Sequence, residues 1–177
     1  MELTNPNTIQ ALLKKHEISA KKFFGQNFLV NPQILAKIVE TAEITPEDHI
    51  LEVGPGLGVL TQQLAKYAKK VTSIELDQGL FPVLKETLAG LDNIELIHAD
   101  ALNFAPPTTP YKVVANIPYN ITSPLMTHFL HNDNPPTTMT ILMQKEVAEK
   151  ICQGTPDMTV LSLSILLFGE PTFIAKV

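Results

Sequence analysis

Ile50-Leu51-Glu52-Val53-Gly54-Pro55-Gly56-Leu57-Gly58 is the stretch that decides the fold. Its first four residues, apolar but for one acid, read as a buried strand. The alternating glycines then allow a tight turn, and the periodicity from Leu57 to Tyr67 is that of a helix. A strand feeding a helix through such a turn opens a parallel sheet covered by helices. The same alternation continues outward. Strands are expected at His49–Val53, Val71–Glu75, Ile94–His98, Lys112–Asn116 and Thr140–Met143, and helices at Leu57–Tyr67, Gln78–Leu88, Pro124–Leu130 and Lys145–Gln153. Before the first strand, a helix is expected from about Thr8 to Glu17, with Ile9, Leu12 and Leu13 on one side. Another starts near Asn31-Pro32, a capping residue followed by a first-turn proline, with Ile34, Leu35, Ile38 and Val39 as its apolar stripe. The fold class is therefore α/β, a mostly parallel sheet with helices on both faces, and ligands belong at the carboxyl ends of its strands.

At 177 residues and 45% hydrophobic content, the chain suits one domain with a substantial core. Residues 1–24 read as a Lys-rich helix and arm, and residues 25–177 as the α/β domain. Ala105–Pro110 and Asn132–Pro136 are proline-rich loops, while the run from Thr159 to Phe168 reads equally as strand or buried helix. The chain stops on Val177 without turn or cap residues, so truncation within an element is the expectation. One cysteine, Cys152, excludes an internal disulfide and a Cys-based metal cluster, and no metal is expected. No segment has the makings of a membrane span or signal peptide, so a cytosolic monomer is expected.

The net charge of −5 argues against a general affinity for nucleic acid, but Lys14, Lys15, Lys21 and Lys22 gather near the amino end, followed by Phe23-Phe24. The cluster reads either as an RNA-contacting arm or as a solvated helix face. All thirteen basic residues are lysines, so bidentate guanidinium recognition is excluded.

Val53 is followed by G-x-G-x-G rather than the G-x-G-x-x-G of dinucleotide sites, since Val59 stands where the third glycine would be. With Glu52 before it, this is closer to an S-adenosylmethionine-binding turn, in which Gly54 and Gly56 let a ligand approach the main chain. Glu75 ends the next strand, 17 residues beyond Gly58, where a carboxylate can accept from ribose hydroxyls. Asp100, after the third strand, can accept from an adenine amine. Asn116-Ile117-Pro118-Tyr119 ends the fourth strand, where a polar-proline-aromatic group can grip a planar base. The Asn116 side-chain oxygen and a carbonyl beside Pro118 can accept both hydrogens of an exocyclic amine, aiming its lone pair at a sulfonium methyl, while Tyr119 stacks on the ring. Transfer is then an in-line displacement assisted by proximity and by loss of charge at sulfur. The target base must be single-stranded or flipped out. Phe24 and Phe28 are further stacking or core candidates.

Phe24-Gly25-Gln26-Asn27-Phe28-Leu29, Glu52-Val53-Gly54-Pro55-Gly56-Leu57-Gly58, Glu75-Leu76-Asp77, Asp100-Ala101, Asn116-Ile117-Pro118-Tyr119-Asn120-Ile121 and Leu142–Ala148, in this order, resemble the ribosomal RNA adenine N6,N6-dimethyltransferase family. The resemblance implies a Rossmann-like class I S-adenosylmethionine-dependent methyltransferase. It implies dimethylation of two adjacent adenosines in small-subunit (16S) rRNA, and a role in small-subunit biogenesis with the immature subunit as partner. It further implies that Asn27 and Leu29 contact the cofactor, with Gly54 at its methionine end, Glu75 at the ribose and Asp100 at the adenine. Asn116 lies between cofactor and target amine, and Phe28, Tyr119, Lys21 and Lys22 meet RNA. Family members usually continue into a further strand, an aromatic-proline loop and a helical carboxyl-terminal domain, so a chain truncated after the catalytic domain is expected. Asp157-Met158-Thr159 stands where a Tyr-Gly pair is usual, and lysines replace the arm's usual arginines. The alternatives are an antibiotic-resistance-type methyltransferase of large-subunit rRNA and a non-catalytic ribosome-assembly factor.

Overall fold

The computed structural model describes residues 1–18, 31–117, 121–152 and 158–176. Five strands, β1 (His49–Val53), β2 (Lys70–Glu75), β3 (Ile94–His98), β4 (Lys112–Asn116) and β5 (Thr138–Leu142), form one sheet in the order β3-β2-β1-β4-β5. Every pairing is parallel. The order reverses beside β1, so the carboxyl ends of β1 and β4 open onto the crevice where such sheets take ligands. Among the described residues, seven α-helices accompany the strands: α1 (Pro6–Lys15), α2 (Pro32–Thr41), α3 (Val59–Tyr67), α4 (Phe81–Thr87), α5 (Thr122–Leu130), α6 (Lys145–Cys152) and α7 (Val160–Leu166).

Alternation along the strands divides the core. Ile50, Val71 and Val114 face one side and pack with Leu12 of α1, Ile38 of α2, Leu60 and Leu64 of α3, and Val83 and Leu84 of α4. Leu51, Val53, Val113 and Ala115 face the other and meet Leu125 and Phe129 of α5. A third cluster joins Met126 and Leu130 of α5 to Ile151 of α6 and Ile165 of α7. Each fully buried Leu or Phe in these clusters contributes on the order of 2 kcal/mol. Among the described residues, no helix is long and apolar enough to cross a membrane.

Several boundaries depart from the sequence reading for local reasons. Asn5 caps α1, accepting from Asn7 N at 2.9 Å, and Pro6 fits the first turn, so the helix starts two residues before Thr8. Asn31 caps α2 as expected, accepting from Gln33 N and Ile34 N at 2.9 and 3.2 Å. The helix expected over Gln78–Leu88 is divided: Asp77 caps a 3₁₀ turn, Gln78–Leu80, and Pro82 sits in the first turn of α4. The ambiguous tail is helical at α7, set by a reciprocal cap in which Thr159 Oγ1 accepts from Ser162 N and Ser162 Oγ accepts from Thr159 N.

Candidate active site

The glycine turn is tied down by its neighbours. Gly54 N donates to Ile74 O at 2.9 Å, which continues the β1–β2 ladder by one step, and Gly56 N donates to Glu75 Oε2 at 3.3 Å. Gly54, Gly56 and Gly58 have φ of +70°, +60° and +86°, conformations that side-chain-bearing residues rarely adopt. Gly58 has a second constraint: a Cβ there would lie 2.9 Å from Leu88 Cδ2. It precedes α3 without any side-chain cap, so the helix presents its amino end to the crevice.

Glu75, at the end of β2, is 5% exposed, and its other carboxylate oxygen accepts from Asp77 N at 2.8 Å. Burial raises its pKa, while the hydrogen bonds from Asp77 and Gly56 oppose the rise. The carboxylate therefore bridges the glycine turn of β1 and the turn after β2. Asp100 is half-buried in the turn after β3, where Oδ1 accepts from Leu102 N at 2.9 Å and Oδ2 from Asn103 Nδ2 at 2.8 Å. Asn116 ends β4 half-buried, and its carbonyl oxygen is 3.9 Å from where a Gly54 Cβ would be. The structure thus brings Gly54, Gly56, Glu75 and Asn116 to one crevice, with Asp100 one strand further out. Asn27, Phe28, Leu29, Lys21, Lys22, Pro118 and Tyr119 lie outside the described residues. In the amino-terminal helix, Lys15 Nζ and His16 Nε2 each reach the Glu86 carboxylate of α4 at 2.8 Å.

The sequence marks Glu52 only as the acid before the glycine turn, and the structure buries it in the interior at 1% exposure. Its Oε2 accepts from Thr61 Oγ1 of α3 at 2.7 Å and from Ser73 Oγ of β2 at 2.6 Å. Burial raises its carboxyl to about 7, the two hydroxyls oppose the rise, and neighbouring Glu75 adds to it. Thr61 and Ser73 were missed; the signal was a hydroxyl at a position that the element's pattern buries.

A parallel five-stranded sheet in this order, opened by a glycine turn and flanked by strand-end acids, defines a Rossmann-like methyltransferase fold. The residues also fit the cofactor of that class. The turn offers bare main chain in the left-handed region, and the adjoining carboxylate has the acceptor chemistry a ribose diol needs. The family model described as ribosomal RNA adenine dimethylase matches residues 3–177, and the chain belongs to that family, whose members use S-adenosylmethionine. The ribosomal RNA small subunit methyltransferase A of Enterococcus faecalis is 44% identical over 180 residues, covering 96% of this chain and 61% of that protein. Its namesake in Listeria monocytogenes is 43% identical over 160 residues, covering 85% and 54%. The chain thus spans little more than half the length of such curated relatives. Among solved structures, a dimethyladenosine transferase from Plasmodium falciparum aligns with a TM-score of 0.70 and 33% identity over 77% of this chain and 51% of that one. The 23S rRNA methyltransferase ErmE aligns with a TM-score of 0.65 and 44% identity over 70% and 50%.

Proposed function

We propose that the protein transfers methyl groups from S-adenosylmethionine to the N6 amines of two adjacent adenosines in small-subunit rRNA, acting in the cytoplasm on the immature subunit. The observation that carries this reading is the meeting of Gly54, Glu75 and Asn116 at adjoining strand ends in a chain of this family. When bound, the cofactor supplies an electrophilic methyl on a cationic sulfur. The chain's own groups bind and orient. Gly54 and Gly56 leave room at the main chain, Glu75 accepts from the ribose, and Asp100 retains acceptor capacity for the adenine amine. Asn27 and Leu29 are proposed to cover the cofactor from the amino-terminal side.

The target amine is a poor nucleophile because its lone pair is delocalised into the ring. Asn116 and a carbonyl beside Pro118 accept its two hydrogens, pulling the nitrogen toward tetrahedral geometry. Tyr119 and Phe28 stack on the base, and Lys21 and Lys22 meet phosphate. A second reading, methylation of large-subunit rRNA, is favoured by the 44% identity to ErmE. The test is nucleoside mass spectrometry after incubating the chain and labelled cofactor with small subunits lacking dimethyladenosine, and separately with 23S rRNA. Labelled N6,N6-dimethyladenosine from the small subunit alone is expected. Label only in 23S rRNA would replace the first reading by the second.

A further inference from the structure

Glu75 can meet a ribose only as well as its carboxylate is aimed, and the aim depends on one peptide group. The peptide joining Leu76 to Asp77 donates its N–H to Glu75 Oε1 at 2.8 Å. The carbonyl of the same planar unit, Leu76 O, lies 3.1 Å from Nε2 of His98, the last residue of β3. A carbonyl oxygen only accepts, so Nε2 is the donor. A hydrogen bond to the oxygen of an amide polarises its N–H, so the two bonds strengthen each other.

The sheet brings these groups together. Glu75 and His98 are partners in the β2–β3 register, and Ala99 N donates to Glu75 O at 3.2 Å. The His98 side chain extends that hold by one residue, to Leu76. Its imidazole is itself set by Phe81, the first residue of α4, whose ring meets it edge-on with centroids 5.6 Å apart and planes at 75°. His98 and Leu76 are both exposed, so water could satisfy the carbonyl in place of the imidazole. Water could not hold the peptide in one orientation. Burial raises the pKa of Glu75, and of the backbone N–H groups that oppose the rise, Asp77's comes first, ahead of Gly56 and Leu76. The peptide that His98 braces is thus the one that most favours the ionised carboxylate.

We infer that His98 is a positioning residue of the cofactor site: through the Leu76–Asp77 peptide it fixes the Glu75 carboxylate in the orientation that accepts from the ribose. This rests on the cofactor reading above. His98 acts through Glu75 and needs no contact of its own with the cofactor. It also ties the turn after β2, which follows the ribose acceptor, to the strand end that leads two residues on to Asp100.

The test separates the donor from the ring. His98→Phe keeps an aromatic ring beside Phe81 and lacks the donor, whereas His98→Gln lacks the ring and keeps an N–H of similar reach. Thermal unfolding verifies the fold of each. Calorimetry with S-adenosylmethionine and with S-adenosylhomocysteine is expected to give about fivefold weaker binding of both for His98→Phe, the scale of one hydrogen bond, and a change below about twofold for His98→Gln. In a Glu75→Ala background, His98→Phe is expected to add less than about 1.5-fold, because the group it positions is gone. By NMR of the free protein, the backbone amide proton of Asp77 is expected to move upfield in His98→Phe and to stay in place in His98→Gln. Unchanged binding or an unmoved Asp77 amide in His98→Phe, equal losses in the two His98 variants, or losses that multiply in the double variant would overturn the positioning role. Binding of neither molecule by the wild-type chain, or unchanged affinity in Glu75→Ala alone, would overturn the ribose reading and this inference with it.

Discussion

The two halves of the sheet are built differently. Around β1 and β2, every strand residue but those at the starts is buried, four helices seal the inner face, and the strand-end carboxylates are fixed by hydrogen bonds 2.6–3.3 Å long. Like β3 on the opposite side of the sheet, the edge strand β5 has no fully buried residue. A cleft of about 530 Å³ runs along that edge between α2, α6 and residues 168–176, and Val160, Leu167 and Phe168 stand exposed nearby. A small polar cofactor rewards fixed acceptors, because each misplaced one leaves a desolvated group unpaired. The contrast puts Gly54, Gly56 and Glu75 of the candidate cofactor groups at the closely packed centre of the sheet, away from the open β5 edge.

Replacing one core residue in each half gives the sharpest test of that contrast. Leu64→Ala, in the sealed half, is expected to cost about 3–4 kcal/mol, against about 1–2 kcal/mol for Ile141→Ala on β5, both read from chemical denaturation. Equal losses would break the distinction. Asn116→Ala, at the seam between the halves, is expected to lower methylation by on the order of a hundredfold or more while changing cofactor affinity little, measured by single-turnover label transfer and calorimetry. An unchanged rate would remove Asn116 from the proposed chemistry.

Glu52 makes stability depend on pH. Its carboxyl in the folded chain lies at about 7, above its ordinary 4.5, so the folded state holds the extra proton between those values. Stability is therefore greatest on the acid side of this window and falls as pH rises through it, by up to about 3 kcal/mol. Glu52→Gln is expected to match wild type near pH 5 and exceed it at pH 8, as followed by melts across that range. Glu75 is shifted in the same direction, so some slope persists in that variant. The smallest effect is expected of Glu75→Ala, about ten- to thirtyfold weaker cofactor binding by calorimetry. Unchanged affinity would reject the ribose assignment.

Much of this was legible in the sequence because two periods, 2 and 3.6, dominate it. All five strands were read correctly in place, three of them at both ends, and the glycine spacing located the turn that follows β1. What was not legible depended on contacts distant in sequence. Nothing near Glu52 says that a hydroxyl 21 residues later, on Ser73, will meet it at 2.6 Å. The early start of β5, at Thr138 rather than Thr140, follows from its register against Lys112, a partner 26 residues away. The division of the helix after β2 was readable in principle, since Pro82 announces a first turn.

The pairing of Lys15 and His16 with Glu86 spans about seventy residues of chain. Closing so long a loop has an entropic cost that local contacts do not share, and the buried Ile9 and Leu12 of α1 belong to a cluster whose other members come from later in the chain, apart from Leu3. Although α1 precedes these partners in the chain, it is thus expected to be among the last helices to dock. In pulse-labelled hydrogen exchange, the amides of α1 should gain protection after those of β1 and β2, and earlier protection of α1 would contradict this order of assembly.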